Sequence, residues 1–303
     1  MKRRINLVGQ NTLTISLPAE WVKKNDLKKG QDLEIIIKDK ELIVLTNPDI
    51  KNRKEIYVDL SDVKSATILN STIIRLYMMG YKKITIKHDK NVITNPFYKE
   101  KSLSTKRMIE KTVSDLSGVE ITESSEQELI MEEITNPSAV SFNNIFRRGF
   151  LLLLEFSESR SNNEKAEFNI FEEYYDMDKY FKLAIKVLNV TSMDEELKER
   201  YLLLVNNLQL IGYNYSIFKA TSKKKNIQEV RQINGALRTF YNICFKPGLQ
   251  EIGELAGVLN DIQGRLKNGK FQSIGLIGVV NILKLSIINL PINEVLEKNK
   301  STD

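Results

Sequence analysis

The sequence predicts a multidomain α+β chain: an N-terminal β domain built on swapped hairpins, a small α/β block, and a C-terminal pair of three-helix bundles. Three observations carry this. Apolar residues alternate with polar ones over the first 45 positions, strands and helices interleave from about 52 to 134, and no strand pattern survives beyond Asn136-Pro137. At 303 residues there is room for two or three domains. The apolar share of 42% and charged share of 28% are those of a globular chain rather than a disordered one.

In residues 1–48, Ile5 and Leu7 alternate, then Leu13, Ile15 and Leu17, with Gly9-Gln10-Asn11 as the turn between. Pro18 opens a two-turn helix over Ala19–Asn25, since proline suits the first helical turn. Leu33, Ile35 and Ile37, the Asp39-Lys40 turn, then Leu42 and Val44 form a second hairpin. So small a unit buries too little surface to stand alone, which predicts a dimer.

Residues 52–134 read as a strand over 55–60, a helix from Ser61-Asp62 to Met79 closed by Gly80, and a strand over 82–87. A helix over 103–116 and strands at 119–121 and 129–131 follow. Residues 137–303 read as six helices, at about 138–160, 163–190, 194–222, 225–246, 248–267 and 270–298. They divide into bundles at about 137–222 and 225–300, a grouping that suggests duplication without residue-level repetition.

Charge is uneven. Residues 1–30 hold seven basic residues (Lys2, Arg3, Arg4, Lys23, Lys24, Lys28, Lys29) against Glu20 and Asp26, a net +5 in a chain whose total is +6. Gly118–Glu133 carries six glutamates and no Lys or Arg. A cationic front end points to a polyanionic partner, with a solvated basic face as the alternative.

The function classes excluded are as informative. One cysteine, Cys244, rules out an intrachain disulfide or a Cys-rich zinc site, and its apolar neighbours predict a buried, inert thiol. One histidine, His88, follows a strand and precedes a polar turn, which predicts a surface residue. Gly264–Phe271 lacks the Ser or Thr and the preceding strand of a phosphate-cradling loop. Glu172 and Asp176, four apart on a helix, are weak candidates for a cation, with solvated carboxylates as the plainer reading. No catalytic motif appears, so the chain reads as a non-enzyme without cofactor. Polar residues break the basic N-terminus as a leader, and Lys284 with its neighbouring amides makes the acid-free 271–293 segment a buried helix rather than a membrane span, so a cytoplasmic location is expected.

Arg4–Val22 followed by Leu27–Ile35 resembles the SpoVT/AbrB swapped-hairpin domain in the spacing of Gly9, Thr12, Pro18, Leu27 and Gly30-x-Asp32. The resemblance implies dimerisation by hairpin exchange and binding of double-stranded DNA. It places Lys2, Arg3, Arg4, Gln10, Asn11, Thr12 and Ser16 at the DNA, with Lys23 and Lys24 from the helix. Basic residues neutralise phosphates, and amides and hydroxyls bond phosphates or base edges.

The C-terminal half resembles the PhoU-type phosphate-uptake regulators in layout, with Val205–Tyr215 as the local match. Those proteins carry a metal-binding Glu and Asp four residues apart; Gln209 and Tyr213 stand at those places here, so the scaffold is read as kept and the metal site as lost. The expectation is a dimeric DNA-binding regulator of phosphate uptake, with a phosphate-transport complex as a further partner. The rivals are a peripheral regulator of a phosphate transporter that binds no DNA, a metal-dependent phosphate sensor, and an antitoxin-like module, the last disfavoured by the long C-terminal region.

Overall fold

The computed structural model describes residues 3–9, 12–38, 41–45, 55–90, 92–94, 102–135, 141–159, 167–191, 193–221, 227–246, 248–265, 274–288 and 290. The chain divides into two compact units, Met1–Arg53 and Lys54–Asp303, in a multidomain α+β arrangement.

The first unit holds β1 (Ile5–Val8), β2 (Thr12–Ile15), α1 (Ala19–Lys24), β3 (Glu34–Lys38) and β4 (Glu41–Leu45). The strands pair as two antiparallel hairpins, β1 with β2 and β3 with β4. Pro18 stands at the N-cap of α1. The side chain and main chain of Asn25 both turn back onto its last carbonyls, Nδ2 donating to the Trp21 oxygen at 2.8 Å.

The second unit opens with the α/β block: β5 (Glu55–Asp59), α2 (Ala66–Met78), β6 (Lys83–Lys87), β7 (Val92–Thr94), β8 (Ser102–Ser104), α3 (Thr105–Ser114), β9 (Val119–Ser124) and β10 (Glu128–Glu133). A four-stranded sheet runs β5-β6-β10-β9, with β5 parallel to β6 and the other pairs antiparallel. Alternation on the strands sends Ile84, Ile86, Leu129 and Met131 into a core shared with Leu69, Ile73 and Tyr77 of α2 and with Met108, Ile109 and Val113 of α3. The opposite sheet face stays open: Tyr57 is exposed there between two cross-strand ion pairs, Lys83–Glu132 at 3.0 Å and Lys87–Asp59 at 2.8 Å.

Helix α2 starts four residues later than Ser61-Asp62 predicted. The Asp59 carboxylate accepts the Ser61 amide at 3.0 Å, holding that stretch as a turn, and Ser65 supplies the cap by accepting the Ile68 amide at 3.4 Å. The β7–β8 pair was not legible as strands. Leu103, read as helical, lies in β8, because Ser104 caps α3 and accepts the Arg107 amide at 3.2 Å.

Six helices follow: α4 (Phe142–Glu158), α5 (Glu167–Val190), α6 (Glu195–Thr221), α7 (Ile227–Phe245), α8 (Leu249–Arg265) and α9 (Ile274–Ile288). All six expected helices are found. One continuous core joins them. On α4, Phe142, Phe146 and Phe150 recur every four residues and meet Tyr201, Phe245, Phe240 and Tyr241 at ring-centroid distances of 4.9–6.2 Å. Buried polar groups are paired across helices: Tyr215 Oη donates to Asn234 Oδ1 at 2.7 Å, and Asn234 Nδ2 donates to the Ser157 carbonyl at 3.0 Å. No helix among the described residues is long and apolar enough to cross a membrane.

The block and the helical body meet where α2 ends against α5. Gly80 has φ +85°, and a Cβ there would lie 2.4 Å from Val190 Cγ1. Asn189 Nδ2 donates to the Met78 carbonyl at 2.9 Å beside it. A Gly80→Ala variant meets both left-handed strain and a clash, so a loss of about 2–4 kcal/mol in a urea melt of the full chain is expected.

Lys219 ends α6 by donating to the carbonyl of Phe156 and to Ser159 Oγ, with its ammonium over the Phe156 ring. Burial brings its pKa from 10.5 down to about 8. The folded chain therefore binds fewer protons than the unfolded one between these values. The contribution of Lys219 to stability should rise as pH climbs from about 8 to 10.5, with its cost fully present below 8. Denaturant midpoints measured from pH 7 to 10.5 should climb more in the wild type than in Lys219→Met, and that difference isolates Lys219 from the other buried groups.

Candidate nucleic-acid interface

The register of the first hairpin sorts its side chains. Ile5 stands opposite Ile15 and Leu7 opposite Leu13, whereas Asn6 faces Thr14 and Val8 faces Thr12. Strand alternation therefore gathers Ile5, Leu7, Leu13 and Ile15 on one face and Asn6, Val8, Thr12 and Thr14 on the other, mainly polar one. Continuing the register puts Arg4 opposite Ser16 on that second, polar face, with Arg3 at the strand's start. The Thr14 hydroxyl donates to the Asn6 carbonyl at 3.3 Å, bracing the face locally.

Arg3, Arg4, Thr12 and Ser16 are all exposed, as are Lys23 and Lys24 in the last turn of α1. Lys2, Gln10 and Asn11 lie outside the described residues. Asn6 and Thr14 belong to the same polar face; the family resemblance that named Thr12 and Ser16 passed over them, although the period-two pattern of the strands puts them beside those two.

The apolar face is as informative as the polar one. Ile5, Leu7, Leu13 and Ile15 are 58–67% exposed, Ile35 and Leu42 of the second hairpin 58% and 63%. Among the described residues of this unit none is buried. Strands that expose an entire apolar face do not persist alone in water, so this face calls for cover.

The positions noted in the helical body behave differently. Gln209 Nε2 donates to Asp178 Oδ1 at 2.6 Å, and Lys182 Nζ pairs with Asp178 Oδ2 at 2.8 Å with both side chains buried. Both carboxylate oxygens of Asp178 are thus engaged by the chain's own donors. Tyr213 packs edge-on to Tyr174 at 6.2 Å. An amide, a phenol and an internal ammonium do not fit a divalent cation. On α5, the Asp176 carboxylate pairs with Lys179 at 3.2 Å, while the side chain of Glu172 lies outside the described residues. Among the described residues no group of three or more potential metal ligands converges.

One expectation needs correction. His88 is buried, 2% exposed, because it continues the Ile84–Ile86 alternation onto the core face; its Nδ1 lies 2.8 Å from the Asp89 carbonyl oxygen. Cys244 is half-buried as a residue and packs beside the helical core, while burial pushes its thiol pKa up, in keeping with an inert thiol.

Two features of the first unit thus stand together: a polar, cation-edged hairpin face, and an apolar face left open behind it. Within this frame, residues 8–55 match the family model described as antidote-toxin recognition MazE, bacterial antitoxin. The match runs from the end of β1 through β2, α1, β3 and β4, so the N-terminal unit is similar to a MazE/AbrB-type module and is consistent with a DNA-binding regulator. No curated protein and no solved structure matches the chain.

Proposed function

We propose that this chain is a non-catalytic, DNA-binding transcriptional regulator that acts as a homodimer. The observation that carries the reading is the two-faced first hairpin, in a segment similar to a module type that binds DNA and dimerises. Its apolar face of Ile5, Leu7, Leu13 and Ile15 is covered by a second copy. The polar face, with Arg4, Asn6, Thr12, Thr14 and Ser16, is then presented twice to the duplex, flanked by Lys2, Arg3, Lys23 and Lys24. The helical body links the protein to phosphate uptake, a reading supported by its resemblance in layout to PhoU-type regulators, and senses or docks on the transport machinery without a metal.

The test pairs sedimentation with gel retardation. The purified chain should sediment as a dimer and retard promoter fragments of phosphate-transport genes. A monomer, or a dimer that leaves every duplex unshifted at low salt, would overturn the reading. A second reading, a toxin partner, is favoured by the description of the matching family. Co-purification of a small, stoichiometric protein with the tagged chain from its native cells would support it.

A further inference from the structure

We infer that the carboxyl end of the parallel pair β5–β6 is a binding site for a small tetrahedral oxyanion that still carries a proton, with hydrogen phosphate as its simplest member. The site belongs to the second unit alone and does not rest on the DNA-binding reading.

The topology brings two helix starts to one end of the sheet. Strands β5 and β6 are parallel, so α2 begins at their carboxyl end and runs back. Strand β9 is antiparallel to β10, which is antiparallel to β6, so α3, which leads into β9, runs the same way. Its first turn lies against the residue after His88: the Thr105 hydroxyl donates to Asp89 Oδ1 at 3.4 Å. On the other side, the Leu60 amide donates to the Lys87 carbonyl at 2.8 Å, which sets the turn into α2 beside the end of β6. The amides of a first helical turn have no partner inside the helix and form its positive end, and Ser65 and Ser104 each take only one of them. Ligands of open α/β sheets bind outside this end of the strands.

His88 is the observation that points to a ligand. Alternation along β6 turns its ring to the helix-covered face, two residues beyond Ile86 and level with those first turns. It is buried, as are Leu60 and Ala66 at the approach to α2 and Leu103 and Thr105 at the approach to α3. The Asp89 carbonyl beside Nδ1 can only accept, so Nδ1 carries the ring proton and Nε2 of the neutral imidazole is a bare acceptor. Nε2 is enclosed and meets no hydrogen-bond partner. A buried acceptor calls for a donor.

Charge decides between ligands. A bare imidazole nitrogen suits a metal ion as well as a hydroxyl. A cation here would face two helix starts together with Lys64, Lys106 and Arg107. Neither helix has an acid in its first turn, where acids are favoured. The carboxylates at this end are answered from within the chain. Asp89 accepts from Thr105, Asp62 lies near Lys87, and Glu126 pairs with Lys90 at 3.1 Å, with Lys106 and His88 also near it. An oxyanion offers acceptors to the amides and ammonium groups, and a protonated one adds the hydroxyl that Nε2 lacks. Sulfate, which has no proton, satisfies only half of the site.

His88 is the chain's single histidine, so the full-length protein labelled in its histidine ring gives one imidazole signal. Nitrogen-15 shifts of the free protein should report a proton on Nδ1 and none on Nε2. Phosphate added at fixed pH and ionic strength should move the Nε2 signal saturably, and sulfate should leave it in place. Lys106→Gln should weaken phosphate binding about two- to fivefold. Glu126→Gln, at a side chain 76% exposed, should strengthen it by a similar factor, and damage to the fold does not produce such opposite shifts. An Nε2 signal indifferent to phosphate overturns the inference and makes a buried water the partner of His88. An equal response to sulfate, or a phosphate affinity that neither variant moves, overturns it as well. Sedimentation and gel retardation do not depend on these results, so the DNA-binding reading stands or falls separately.

Discussion

Replacing Glu133 by alanine is expected to lower the stability of the second unit by about 3–5 kcal/mol, the cost of leaving a buried charge without its partner. Lys186 is 1% exposed and its ammonium lies 2.6 Å from Glu133 Oε1, which is itself 9% exposed. The same ammonium sits 4.4 Å from the centroid of the Tyr77 ring, and the Tyr77 hydroxyl donates to the Ser117 carbonyl at 2.9 Å. Burial lowers the Lys186 pKa despite the carboxylate beside it, so the pair is strongly desolvated. Removing one partner strands the other, whereas removing both with shape preserved need cost little. Urea unfolding should therefore show a large midpoint loss for Glu133→Ala and a substantial recovery in Glu133→Gln with Lys186→Met. A loss below about 1 kcal/mol would show that water reaches Lys186. Because Glu133 ends β10 and Lys186 lies on α5, the melt also reports how firmly the sheet is held to the helical body.

The second large effect concerns DNA. Each phosphate contact contributes about 0.9 to the slope of log affinity against log salt, so six contacts from Lys2, Arg3 and Arg4 in a dimer give a slope near −5. Substituting Arg3 and Arg4 by alanine removes four of them. The slope should flatten by between three and four, and affinity near 0.1 M salt should fall by roughly three orders of magnitude. Thr12→Ala and Asn6→Ala should leave the slope unchanged and alter preference among sequences instead, since neutral groups release no counterions. Fluorescence anisotropy across a salt series separates the two outcomes. A slope unmoved by the arginine substitutions would place the phosphate contacts elsewhere, with Lys23, Lys24, Lys28 and Lys29 next in line.

The candidate site was named from a family resemblance, whereas the period of two, which was also legible, would have added Asn6 and Thr14. Asn6, Thr12, Thr14 and Ser16 share a face for the reason that Ile5, Leu7, Leu13 and Ile15 share the other. The same rule, carried two residues past Ile86, puts His88 indoors; reading the polar turn after it hid a signal that was present. The Leu103 error had a different source. An apolar residue at helical spacing was counted into α3, but Ser104 could end the extended run and cap the helix, and local hydrogen bonding outweighed periodicity.

The amino-acid order by itself determined the two hairpins of the first unit, the alternation of strands and helices after it, and the six helices that complete the chain, because each depends on residues a few positions apart. Only the tertiary structure decided which lysines lie inside. Lys182 is buried because Gln209 of α6 donates to Asp178, the carboxylate one turn earlier that pairs with it, and Lys186 because Glu133, far off in sequence, arrives at its ammonium. It likewise decided that Leu285 and Ile288 of the most apolar helix face outward. Burial is set by what packs opposite a residue, and that neighbour comes from distant chain, or from another copy, which no local pattern records.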